Sequence, residues 1–112
     1  MDCIFCKIAK GDIPSNTLYE DDLCRAFYDL SPQAPVHFLV IPKEHISSAD
    51  ALNEQNCAVV GHIFSVIAKL AAELSLTNGY RIVNNCGVDG GQTVGHLHFH
   101  VLAGRLLAWP PG

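Results

Sequence analysis

A chain of 112 residues, 49% hydrophobic and 16% charged, suits one globular domain spanning 1–112 with a single core, and excludes an intrinsically disordered chain. The net charge of −4 excludes a general attraction to nucleic acid or to acidic membranes, so an anionic ligand must be held by local amides, polar side chains and imidazoles. No apolar run approaches a membrane span, Asp2 stands where a secretory leader would be basic, and five cysteines are an odd number for a disulfide framework, so the expectation is a cytoplasmic protein.

In chain order, Cys3-Ile4-Phe5-Cys6 comes first. This C-x-x-C pair is open to three readings: a redox pair, two unrelated buried thiols, or half of a metal site that needs two more ligands. Ile4, Phe5 and Ile8 form the apolar side of a short helical turn, closed by a turn at Gly11–Ser15. Residues 17–20 and 23–29 read as two strands of an antiparallel hairpin, broken by Asp21-Asp22. Two prolines stiffen the loop from Leu30 to Pro35. A third strand, 36–41, is apolar except for His37, and ends at Pro42. His45 follows in a turn, where a histidine is ordinarily a plain surface residue.

Residues 47–52 suggest a short helical piece. A long helix is expected from about Glu54 to Leu76, capped by Asn53. Val60, Ile63, Phe64, Ile67, Leu70, Ala71 and Leu74 recur at helical spacing and form its core stripe, which leaves His62 and Lys69 in solvent. Asn78-Gly79 is read as the helix stop. A fourth strand, 80–84, leads into the loop Asn85–Thr93, whose glycines allow backbone N–H groups to approach an anion. The apolar tail Leu107–Gly112 contains Trp109, which is expected to pack on something, such as a partner subunit.

The most informative stretch is His96-Leu97-His98-Phe99-His100-Val101-Leu102. On a strand over 97–103, alternate side chains share a face, so the histidines align opposite Leu97, Phe99 and Val101. Three readings are open: imidazoles on a solvated sheet face, a structural metal cluster, or chemistry. Neutral imidazole is a nucleophile, an acid and a base near neutral pH, and the adjoining glycine loop favours a site.

This H-φ-H-φ-H-φ-φ pattern, φ being apolar, resembles the signature of the histidine triad superfamily, and the whole chain resembles its nucleotide-binding, or Hint, branch. The resemblance extends over Ile4-Phe5, Asp12-Ile13-Pro14, residues 31–35 and 37–43, Asp89-Gly90-Gly91-Gln92, and the terminal Trp109-Pro110-Pro111-Gly112. It implies an α+β fold with an antiparallel sheet of about five strands, one long and one short helix, and a homodimer. It also implies hydrolysis of purine nucleoside phosphoramidates, AMP or GMP joined to an amine. In that reading His98 is the nucleophile, with His100 and His37 beside it. Asn85, Gly91, Gln92 and Thr93 contact phosphate and ribose, Asp29 binds the ribose, and Ile4, Phe5, Ile8, Phe27 and Leu30 line the purine pocket. Similarity to bacterial-type relatives implies a structural zinc on Cys3, Cys6, His45 and His96, a closed Cys₂His₂ set. Two positions depart from relatives: Thr93 for a more usual Ser, and Gly95 where some carry an aromatic residue.

Three rival functions fit the same residues: a purine-nucleotide-binding interaction protein with incidental hydrolysis, a hydrolase with a catalytic zinc on the histidine row, and a nucleotidyl transferase. The closed ligand set opposes the second, and His98 in place of a central glutamine opposes the third.

Overall fold

The computed structural model describes residues 3–112; Met1 and Asp2, the latter read above against a secretory leader, lie outside them. The elements in order are helix α1 (Ile4–Lys10), strands β1 (Thr17–Glu20), β2 (Cys24–Tyr28) and β3 (Val36–Pro42), a 3₁₀ turn (Ala49–Ala51), helix α2 (Ala58–Glu73), and strands β4 (Arg81–Val83) and β5 (Phe99–Ala103). The strands form one antiparallel sheet in the order β1-β2-β3-β5-β4. The fold is α+β, as the resemblance implies, with one long and one short helix. No helix among the described residues is long and apolar enough to cross a membrane.

The sheet is buried on both faces, which explains why β3 reads as almost continuous apolar residues. Phe38, Val40, Phe99 and Val101 point to one face, against Ile63, Val66, Ile67 and Leu70 of α2. Phe27, Leu39 and Ile41 point to the other, against Phe5, Ile8 and Ala9 of α1. His37 and His100 share this second face with Leu39, because residues two apart on a strand point the same way. Site and small helix therefore lie on one side of the sheet, and the main core on the other.

The structure corrects several boundaries. α2 begins at Ala58, not Glu54, and Asn53 does not cap it. The Asn53 carboxamide oxygen accepts from the N–H groups of Gln55 and Asn56, making a separate turn in which the side chain competes with helical pairing. The helix stops at Leu74, before Asn78-Gly79. Ser75 takes a left-handed φ of 58°, while the Leu76 N–H reaches back to the Ala71 carbonyl. Phe64 lies at the margin of the stripe, 43% exposed, and Val66 takes the core position.

His62 is not simply solvated either. Its Nε2 lies 2.6 Å from Asp21 Oδ2, which also accepts from the Tyr19 hydroxyl, while Oδ1 accepts from the N–H groups of Leu23 and Cys24. Burial raises the Asp21 pKa, but the bonds from His62, Leu23, Cys24 and Tyr19 outweigh it and hold the carboxyl well below its usual range. Lys69 stays exposed, but its ammonium sits 4.7 Å above the Tyr19 ring. Asp21 thus clamps α2 to the β1–β2 turn. Asp21→Ala is expected to cost about 3 kcal/mol by urea unfolding, since it strands several donors at once. The exposed neighbour Asp22→Ala is expected to change stability by less than about 0.5 kcal/mol.

The tail is anchored through its backbone. The Arg81 guanidinium donates to the carbonyls of Leu107 and Ala108, and Trp109 remains 80% exposed.

Candidate active site

The regular strand β5 begins at Phe99, later than the expected Leu97, so His96 and His98 precede the ladder. The cause lies on β3. Its last pairing with β5 joins Val40 to Phe99, and Pro42 has no N–H to extend the pairing. The Pro42 carbonyl is taken by the His96 ring, whose Nε2 donates to it at 2.9 Å. The Leu97 N–H turns instead to the Ile46 carbonyl, at 2.6 Å.

A cleft of about 260 Å³ opens on the α1 side of the sheet. It brings together Ile4, Phe5, Ile8, Phe27, Asp29, Leu30, Thr93, His98 and His100 from the expected set. Asn85 and Gly91 do not line it. Nor does Gln92: its Nε2 donates to the carbonyls of Ser47 and Val94, and its Oε1 accepts from the Gly87 N–H. Gln92 is a staple for the loop, with no side-chain proton left to donate to a phosphate. A larger hollow, about 460 Å³, lies where β4 meets the tail, and no histidine lines it.

Hydrogen bonding assigns the ring protons. His98 Nδ1 lies 2.7 Å from the His96 carbonyl and must donate to it, which leaves the Nε2 lone pair free. The Phe5 ring packs edge-on against His98, with centroids 5.1 Å apart. His37 Nδ1 accepts from the Gln33 N–H at 3.0 Å, so neutral His37 carries its proton on Nε2. That nitrogen lies 2.9 Å from His100 Nδ1 and 3.6 Å from Asp29 Oδ2. His100 accepts at Nδ1 and keeps its proton on Nε2. The Ser31 N–H engages Asp29 Oδ1 at 2.7 Å and fixes the carboxylate at the cleft mouth.

Burial, with His98 and His37 close by, lowers the His100 pKa from 6.5 to about 4, partly offset by Asp29. His100 is therefore neutral at pH 7. The unfolded chain takes up this proton as pH falls below about 6.5, while the folded protein resists until about 4, so stability declines across that window. His100→Gln is expected to remove on the order of 2 kcal/mol of that pH-dependent loss, allowing for the ring's partial solvent contact. Urea unfolding of both proteins at pH 7 and pH 4.5 measures the difference.

A second group of side chains adjoins the cleft. Because His96 Nε2 is bound to Pro42, its Nδ1 lone pair faces Cys3 Sγ at 3.4 Å, Cys6 Sγ at 3.5 Å and His45 Nδ1 at 3.2 Å. Cys6 Sγ and His45 Nδ1 are 3.1 Å apart, and all four donor atoms lie within 4.8 Å of one another. A tetrahedral metal with ordinary sulfur and nitrogen bonds has edges of roughly 3.3–3.8 Å. The four distances above fall within a few tenths of an ångström of that range, and two soft sulfurs and two imidazoles converging suit such an ion.

Residues 10–107 match the family model described as the HIT domain. The chain belongs to the HIT family. It is 53% identical over 111 residues to an uncharacterized HIT-like protein of Synechococcus elongatus, covering 99% of this chain and 97% of that protein. Among solved structures, a HIT family hydrolase from Legionella pneumophila superposes with a TM-score of 0.96 at 45% identity, covering 99% of this chain and all of that one. A histidine triad nucleotide-binding protein from Candida albicans superposes with a TM-score of 0.82 at 34% identity, covering 97% and 83%.

Sequence reasoning missed Asn84, whose Nδ2 donates to the His98 carbonyl at 2.9 Å and steadies the strand at that histidine. Beside Asn85, it carries no signal of its own. The Gln33 N–H on His37 was also unreadable, since backbone donors leave no mark in the residue type.

Proposed function

We propose that this HIT protein is a hydrolase of the Hint branch that cleaves purine nucleoside phosphoramidates through a nucleotidyl-histidine intermediate. The observation that carries the reading is the bond from His98 Nδ1–H to the His96 carbonyl, which leaves Nε2 as a lone pair in an apolar cleft. In the first step His98 Nε2 forms a bond to the α-phosphorus, and the phosphorus–nitrogen bond to the amine breaks as the amine takes up a proton. Water then cleaves the phosphorus–imidazole bond, releasing the nucleoside monophosphate and restoring His98. The His100 Nε2–H and the Thr93 hydroxyl are donors available to phosphoryl oxygens. Asp29 offers a carboxylate for paired ribose hydroxyls, between the apolar walls that take the base. The names carried by the Legionella and Candida relatives, hydrolase and nucleotide-binding protein, support the same reading.

The decisive assay is turnover of adenosine 5′-phosphoramidate, read as release of AMP and amine, alongside the affinity for AMP. Multiple turnovers are expected. Tight binding without turnover would favour the interaction protein, and product formation only with a second nucleotidyl acceptor would favour the transferase.

Cys3, Cys6, His45 and His96 are proposed to hold a structural zinc, which would supply folding energy and no open coordination position. A homodimer is proposed over the face of α2 carrying Gly61, Phe64 and Ala68, exposed in the single chain, and over the outer strand β4. Sedimentation at micromolar concentration is expected to give twice the chain mass.

A further inference from the structure

The four-donor cluster and the cleft share a residue. The His96 ring is fully buried and fixed from both nitrogens: Nε2 on the Pro42 carbonyl, and Nδ1 facing Cys3, Cys6 and His45. Its backbone carbonyl is the acceptor for His98 Nδ1. The segment is held beside the cluster by the bond from the Leu97 N–H to the carbonyl of Ile46, the residue next to His45. A second link runs through α1. Phe5 stands between the two thiols in sequence, and its ring packs on both His96 and His98, at centroid distances of 6.0 and 5.1 Å.

We propose that His96 is a positioning residue, through which the Cys3–Cys6–His45–His96 cluster sets the tautomer of His98. The proposal rests on the reading of His98 as nucleophile. The geometry gives the direction of the effect. With the His96 ring pinned, its carbonyl stays 2.7 Å from His98 Nδ1, and only the Nδ1–H tautomer of His98 satisfies it. That tautomer alone presents a lone pair at Nε2. If the ring is released from the thiols and from His45, the His96–Leu97 peptide keeps only its bonds to Pro42 and Ile46, the carbonyl shifts from His98 Nδ1, the Nε2–H tautomer becomes populated, and that fraction of the protein has no nucleophile facing the cleft. The cluster thereby acts on rate as well as on stability, without touching substrate. Nothing in this coupling needs a coordination change during turnover.

The test reads the tautomer directly. Long-range ¹H–¹⁵N spectra of the imidazoles separate protonated Nδ1 from protonated Nε2. In zinc-loaded protein His98 is expected to be above about 90% in the Nδ1–H form. After chelation, at a temperature where circular dichroism shows the fold intact, the Nε2–H form is expected to rise to about 70–90%. The turnover number for the phosphoramidate should fall roughly three- to tenfold. His45→Asn, which removes a donor without altering α1 or His96, is expected to shift the tautomer in the same direction. A His98 signal unchanged in folded, metal-free protein would overturn the proposal. Should every metal-free form unfold, zinc- and cadmium-loaded proteins are compared, because the longer cadmium–sulfur bonds must displace the His96 ring. A moved His98 Nδ1–H resonance then supports the coupling, and an unmoved one overturns it. The spectrum needs no activity, so loss of the nucleophile reading, shown by turnover in His98→Ala, is a separate result.

Discussion

His98→Ala is expected to abolish phosphoramidate hydrolysis, lowering turnover by on the order of 10⁴-fold or more, while AMP affinity changes by less than about tenfold, or roughly 1.4 kcal/mol. The two effects separate because His98 is the group proposed to form the covalent bond, whereas Ile4, Phe5, Phe27, Leu30 and Asp29 also line the cleft and remain in the variant. The substitution also removes the donor to the His96 carbonyl, a small cost beside the cores on both sheet faces. Single-turnover assays and AMP titration on the same folded sample measure both quantities. Near-normal turnover would end the covalent mechanism.

The second large effect concerns stability. Cys3→Ser with Cys6→Ser is expected to remove bound zinc and lower the melting temperature by about 10–20 °C, corresponding to roughly 3 kcal/mol in a domain of this size. The loss should concentrate in α1, because Cys3 caps that helix, its Sγ accepting from the Cys6 N–H at 3.3 Å, and both thiols tie the helix to His45 and His96. At a temperature where the double variant remains folded, its hydrolysis should stay within about tenfold of wild type, the margin left by tautomer control. Complete loss of activity on chelation of folded protein, restored by zinc, would instead make the metal catalytic.

Much of this architecture was legible in the residues because local pattern and global packing agree. The nearly continuous apolar run of β3, the alternation in β5 and the stripe of α2 each point to the layer in which the element is found. The strand order was not legible. Nothing local says that β5 enters between β3 and β4, where both its hydrogen-bonding edges are paired. Asn53 misled because the same side chain that caps helices also closes turns. His62 was misread because its partner, Asp21, lies 41 positions away. At the site, the types of side chain that gather in the cleft were readable, but not their hydrogen bonds. The His98 acceptor is the carbonyl two residues before it, a backbone group that no residue type announces. Gln92, expected on phosphate, spends its amide on three backbone groups.

Pro42 has a consequence beyond ending a strand. A period-two motif, left to itself, would deliver three equivalent imidazoles to one surface. The proline across the sheet breaks that equivalence by refusing the next rung and by offering its carbonyl to the first ring. One histidine is diverted to anchoring the N-terminal helix, and two remain for a ligand. The division of labour within the motif is thus written on β3, more than fifty residues from the histidines it sorts.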